Sequence, residues 1–177
     1  MHLQSAPGLC GIAVIRSVLE AQFGIKTEVN ELIGIVADFY SRKKSLSSSS
    51  IENVQKLGTS PAAMAYCFKN KVKSPIRIFC SKQGDVNELQ TLHQEKNIVP
   101  ILHRSVRPPE FGLTEPEGHY VIFNEIKDNI IKIFDPKVGV REYTIKEFDE
   151  VWHNNDERWF LVIVPEGIKI NLKGKYL

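Results

Sequence analysis

Cysteine is scarce in this sequence: three residues, at positions 10, 67 and 80, in 177. No two of them have the CxxC spacing of a zinc or redox site, and their odd number leaves at least one thiol free. No run approaches the roughly 18 apolar residues of a membrane span. The opening "MHLQSAPGL" lacks a basic segment followed by an apolar one, so no secretory signal is read there. Free thiols without such a signal predict a reducing, cytoplasmic setting. An excess of one charge is missing too, since 23 basic and 21 acidic residues leave a net +2. Lysines gather in "KNKVK" (69–73) and in the tail "IKINLKGKYL" (168–177). No aromatics interleave with them for base stacking, so a solvated face is expected rather than a nucleic-acid partner.

What is present is an ordinary globular composition, 42% hydrophobic and 25% charged, enough for a core without staples. Neither repeat nor linker divides it, which predicts one domain over 1–177, with a core at about 4–164 and a basic tail at 165–177. The first third reads as helical. Pro7 and Gly8 break the chain, and Ile12, Ile15, Val18 and Leu19 then recur at helical spacing as far as Gly24. Thr27 is expected to cap a second helix over 28–40, followed by a serine-rich loop over 41–50. Ser49 and Glu52 have capping-box spacing before "IENVQKLG". Ser60 is placed to cap a fourth helix that has Pro61 at its first position.

The second part changes character. Strands are predicted over 76–81, 98–104, 119–126, 129–135 and 158–164, with a shorter one over 139–145. Helices are predicted over 85–97 and 146–152. Asp128-Asn129 signals a tight hairpin, and the proline-rich stretch 105–118 an irregular exposed loop. Helices first and a mostly antiparallel sheet afterwards make an α+β domain.

Cys10 stands where a glycine-bearing loop turns into an apolar helix. Unpaired N–H groups and the helix dipole favour an anion at such a place, and the thiolate is the nucleophilic form of cysteine. Gly8 and Gly11 carry no side chain to obstruct a substrate. Cys67 and Cys80 lie in apolar stretches and are expected to pack in the core.

A nucleophilic cysteine needs a base. His2, His93 and His153 read as surface residues. His103 ends a strand and stays a candidate, while His119 begins one beside the exposed loop. The base in turn needs an acceptor on its other ring nitrogen. With the hairpin centred at 127–128, position 119 falls opposite about 136, which puts Asp135 beside His119. As part of "DPKVG", Asp135 also reads as an ordinary turn residue. For the charge that develops on a carbonyl oxygen, the Cys10 N–H and the Gln4 side-chain amide are candidate donors.

Taken together, Gln4, Cys10-Gly11-x-Ala13, His119-Tyr120-Val121 and Asp135-Pro136 resemble the papain-like cysteine peptidases that cut bacteriocin leaders after a double glycine. More broadly they resemble standalone bacteriocin-peptidase-like domains, over roughly residues 4–164. Leu9 and Ile12 depart from the family's usual residues and touch no reacting group. The resemblance implies a papain-like fold, with a catalytic helix packed on an antiparallel sheet. It also implies Cys10 as nucleophile, His119 as acid/base, Asp135 as its orienter and Gln4 in the oxyanion hole. The expected activity is hydrolysis of a peptide or isopeptide bond in a peptide or protein substrate, with no metal or organic cofactor. Acyl transfer by the same triad, as in phytochelatin-synthase-like or arylamine-acetyltransferase-like enzymes, is the first alternative. A catalytically silent peptide-binding domain is the second.

Overall fold

Alternation of side chains along the strands decides the architecture. The computed structural model describes residues 1–43, 51–106, 117–152 and 157–177. Successive residues of a strand point to opposite faces, and here both faces are apolar. In β1 (Ile76–Ser81), Ile78 and Cys80 enter one core and Phe79 the other. The same split divides Ile101 from Leu102 in β2 (Ile101–Val106) and Tyr120 and Ile122 from Val121 and Phe123 in β3 (Glu117–Lys127). In β6 (Trp159–Pro165) it divides Leu161 and Ile163 from Phe160, Val162 and Val164. A sheet apolar on both sides must be covered on both sides.

With β4 (Ile130–Asp135), β5 (Gly139–Thr144) and β7 (Lys175–Tyr176), the strands form one sheet in the order β5-β4-β3-β2-β6-β1-β7. Each neighbouring pair is antiparallel. One face carries α1 (Cys10–Phe23), α2 (Val29–Arg42), α3 (Ile51–Leu57) and α4 (Pro61–Lys71). The other carries α5 (Val86–Gln90), the π-helical turn Thr91–Glu95 that continues it, and α6 (Ile145–Val151). α1 is the central helix, with Ile12, Val14, Ile15, Val18 and Leu19 all buried, and a helix packed on several sides needs that apolar surround. Its Gln22 amide donates to Ile163 O (2.6 Å) and accepts from Val99 N (3.0 Å), which ties the helix to the sheet.

The α+β order matches the expectation, and most elements lie within a few residues of it. Ser60 accepts from Ala63 N at 3.2 Å, with Pro61 opening α4. Asp128 and Asn129 both have positive φ, as a two-residue hairpin turn requires. Thr27 does not cap α2: the N-cap is Glu28, and the Thr27 hydroxyl is buried with no hydrogen-bond partner. β2 begins three residues later than expected, because Val99 N is held by Gln22 and Pro100 has no N–H to offer a ladder. The last residues of the basic tail join the sheet. Lys175 and Tyr176 pair with β1, Leu177 N donates to Ile78 O (2.8 Å), and Tyr176 sits edge-on to Phe79. Ser49, most of the loop 41–50 and most of the loop 105–118 lie outside the described residues. No helix among the described residues is long and apolar enough to cross a membrane.

Candidate active site

Cys10 is the first residue of α1, and local features hold it there. Gly8 turns the chain with φ +77°, and a Cβ on it would meet Gln55 O at 2.4 Å. Leu9 is buried and pins the first turn by a core contact. Leu9 offers no side-chain cap, and the first turn has no acidic residue. The positive end of the helix is therefore directed at whatever anion forms beside Cys10. Gly11 packs on Thr59, whose Cβ lies 2.5 Å from where a Cβ at Gly11 would stand.

His119 and Asp135 arrive from paired strands, β3 and β4, whose register runs Ile122↔Phe134 beyond an irregularity between Phe123 and Glu125. His119 Nε2 lies 2.7 Å from Asp135 Oδ1, and the Lys137 N–H donates to the same oxygen at 2.8 Å. The Cys10 side chain lies close enough to His119 to help raise its pKa. With Nε2 engaged by Asp135, Nδ1 is the nitrogen left for another partner. Burial works against the charged imidazole. The hydrogen bonds to Asp135 and Cys10 and the charges of both outweigh it, and the His119 pKa is pushed up to about 9. Burial likewise opposes ionisation of Asp135, but His119, the Lys137 N–H and the Arg104 charge hold its pKa below the ordinary carboxylate value.

Arg104 was not singled out from the sequence. Its side chain is 2% exposed and stands directly across the ladder from His119, with NH2 3.4 Å from Asp135 Oδ2. The signal was available. In "LHRSV" the arginine takes the alternate position shared with Leu102 and Val106, both of which are buried.

Cys10 lines a cleft of about 850 Å³. Gly8, Gln55 and Thr59 belong to its helical wall, and His103, Glu117 and Gly118 to its sheet wall. Tyr40, also missed from the sequence, braces the helical wall: its hydroxyl donates to Gly58 O (3.2 Å) and accepts from Ser60 N (3.0 Å). His103 packs against the rings of Tyr120 and Trp159. Burial and the charge of His119 push its pKa down to about 4, so it is neutral at physiological pH.

Gln4 sits beside the strand end that carries Asp135. Its N–H donates to Pro136 O at 2.7 Å, which fastens the N-terminal segment next to Asp135, and its Oε1 is buried with no hydrogen-bond partner. His2 is half-buried against Glu20, and His93 half-buried with its ring edge-on to Phe123; His153 lies outside the described residues. Cys67 and Cys80 are core residues as expected. Burial pushes the Cys67 thiol up to about 12 and raises that of Cys80. Among the described residues no cluster of side chains could hold a metal ion.

Residues 82–162 match the peptidase C39 family, a stretch that contains His119 and Asp135 but not Cys10 or Gln4. No curated protein matches the chain by sequence. Among solved structures, the peptidase domain of Streptococcus ComA, a bi-functional ABC transporter of a quorum-sensing pathway, superposes with a TM-score of 0.60 at 17% identity. That alignment covers 93% of this chain and 97% of the other. A double-glycine-motif protease from an AMS/PCAT transporter, solved with its leader peptide, gives 0.59 at 16% identity, over 92% and 89% of the two chains. The peptidase domain of Streptococcus mutans ComA gives 0.53 at 15%, over 93% and 98%. At such identities the likeness is one of fold. The chain thus has the papain-like fold of these peptidase domains, and its sheet half is similar to the peptidase C39 family.

Proposed function

We propose that the chain hydrolyses a peptide bond, with Cys10 as nucleophile, His119 as general acid/base and Asp135 as its orienter. The observation that carries this reading is the His119–Asp135 hydrogen bond beside Cys10, which acts on the same imidazole from a helix start that lines a cleft. The Cys10 thiolate attacks the scissile carbonyl, and the negative charge moves to the carbonyl oxygen. The Cys10 N–H and the Gln4 amide donate to that oxyanion. The His119 imidazolium passes its Nδ1 proton to the departing amine, leaving a thioester and a neutral imidazole. His119 then takes a proton from water, the hydroxide attacks the thioester, and the thiolate–imidazolium pair is regenerated. Gly8, Gly58 and Gly118 all line the cleft, so an extended peptide backbone can approach its walls without side chains in the way. The fold shared with a protease solved with its leader peptide supports a peptide as the substrate class, with a double-glycine leader the first candidate.

The test is cleavage of a synthetic double-glycine leader peptide, with products identified by mass. Wild type cleaves it and Cys10→Ala does not. Gln4→Ala lowers kcat by about 10²–10³ with little change in KM, as loss of an oxyanion donor does. The reading is overturned if no cleavage occurs and alkylation of Cys10 follows the same pH profile in wild type and His119→Ala.

A further inference from the structure

Asp135 is fully buried, and its two oxygens have separate partners. Oδ1 takes His119 Nε2 and the Lys137 N–H, at 2.7 and 2.8 Å. Oδ2 faces Arg104 at 3.4 Å and, more distantly, the half-buried Arg141 at 3.9 Å. The charged groups around this carboxylate thus come from β2 (Arg104), β3 (His119) and β5 (Arg141), while Cys10 of α1 and His103 of β2 face His119 itself. Isolated ionised carboxylates are very costly to bury and neutralise unless they are paired. During turnover His119 alternates between imidazolium and imidazole, so it cannot be the constant partner. Arginine, by contrast, does not deprotonate in proteins.

We propose that Arg104 is a positioning residue that holds Asp135 ionised, with Oδ1 turned to His119, through the half of the cycle in which His119 has given up its proton. The inference rests on the triad reading above. Without Arg104, a neutral His119 leaves Asp135 as a buried carboxylate short of its main counter-charge, and the carboxyl takes up a proton in place. A protonated Asp135 no longer supports the imidazolium, and the thiolate that the imidazolium pairs with is lost at neutral pH. Arg104 also carries a charge that opposes protonation of His119. If that repulsion dominated, its removal would shift Cys10 reactivity in the opposite direction. The contacts decide for Asp135: the guanidinium faces its Oδ2 and the imidazole takes its Oδ1, so the carboxylate is the group that both cations meet.

The experiment measures alkylation of Cys10 against pH by mass spectrometry on the full chain, so no substrate is required. Arg104→Met shifts the Cys10 profile to higher pH, by about one unit, and Arg104→Lys restores most of it. Arg104→Met adds no shift to Asp135→Asn, because the two act as one unit. Arg104→Gln, which keeps a donor but no charge, carries the same prediction should Arg104→Met fail to fold. The proposal is overturned if the folded charge-removing variant leaves the profile unmoved or shifts it to lower pH. An equal increment in the Asp135→Asn background, which is what a merely structural residue gives, overturns it too. His119→Ala separates the two readings. If it leaves the Cys10 profile unchanged, the triad itself fails; if it shifts the profile while the Arg104 variants do not, only the role of Arg104 falls.

Discussion

At the scale of single residues, His119 is where opposing effects balance. Burial alone would hold the imidazole neutral, as it does for His103; Asp135 and Cys10 reverse the outcome. With a pKa of about 9, the imidazolium persists through neutral pH, and peptide cleavage should decline along an alkaline limb near pH 9. The stability consequence has a definite sign. A pKa raised above the ordinary 6.5 stabilises the folded state fully below that value, and the contribution is lost as pH rises through about 9. Melting temperatures measured between about pH 6 and 10 should therefore fall in wild type across that window. The fall should be absent in His119→Ala; an identical fall in both would show that the imidazolium is not held by Asp135. The sequence nominates Cys10 and His119 because each is expected at an element boundary beside a glycine. Arg104 was passed over because an arginine in a strand ordinarily faces solvent, and only the packed sheet shows that this one does not.

At the scale of elements, the entry to α1 does the positioning. Gly8 needs its left-handed conformation and lies against the backbone of Gln55, so a side chain there meets strain and collision together. Gly8→Ala should cost more than about 1 kcal/mol of stability and, by shifting the start of α1 against α3, lower kcat further than the stability loss explains. Denaturant unfolding together with initial rates checks both, and an unchanged variant would mean that the loop is not coupled to Cys10. A cap written in a few adjacent residues was legible at Ser60 for α4; the Thr144–Glu147 capping box that opens α6 is of the same kind but was not singled out. Thr27 was misread because a capping hydroxyl and a buried threonine look alike in sequence, and the backbone around position 28 decides between them. The hairpin at Asp128-Asn129 was legible because two adjacent residues tolerant of positive φ admit few other turns.

At the scale of the molecule, the sheet separates two cores, and the candidate catalytic helix belongs to one of them. Phe148 of α6 lies in the other, against Tyr143 and Trp152. Phe148→Ala should cost about 3–5 kcal/mol while leaving the rate per folded molecule near that of wild type. Calorimetry and active-site titration check this, and a rate that falls in step with stability even among folded molecules would show that the two layers are coupled. The edge position of β7 had no sequence signal, since two residues in a lysine-rich stretch carry no periodicity; the strand exists because β1 presents an edge and Phe79 a ring to meet Tyr176.

Helical and strand periodicity, the proline and glycine breaks, and the residue types able to act as nucleophile, base and orienter are properties of short stretches of chain. They specify an α+β domain and nominate Cys10, His119 and Asp135 before any folding is considered. Contacts between distant stretches are another matter. The line from Asp135 through His119 to Cys10, the buried arginine behind it and the attachment of Gln4 to Pro136 join residues 16 to more than 100 positions apart. Such contacts depend on which strand lies beside which and on what the core excludes from water. Tertiary packing decides both, because a charge or a hydroxyl is recognised as buried only once its neighbours are in place.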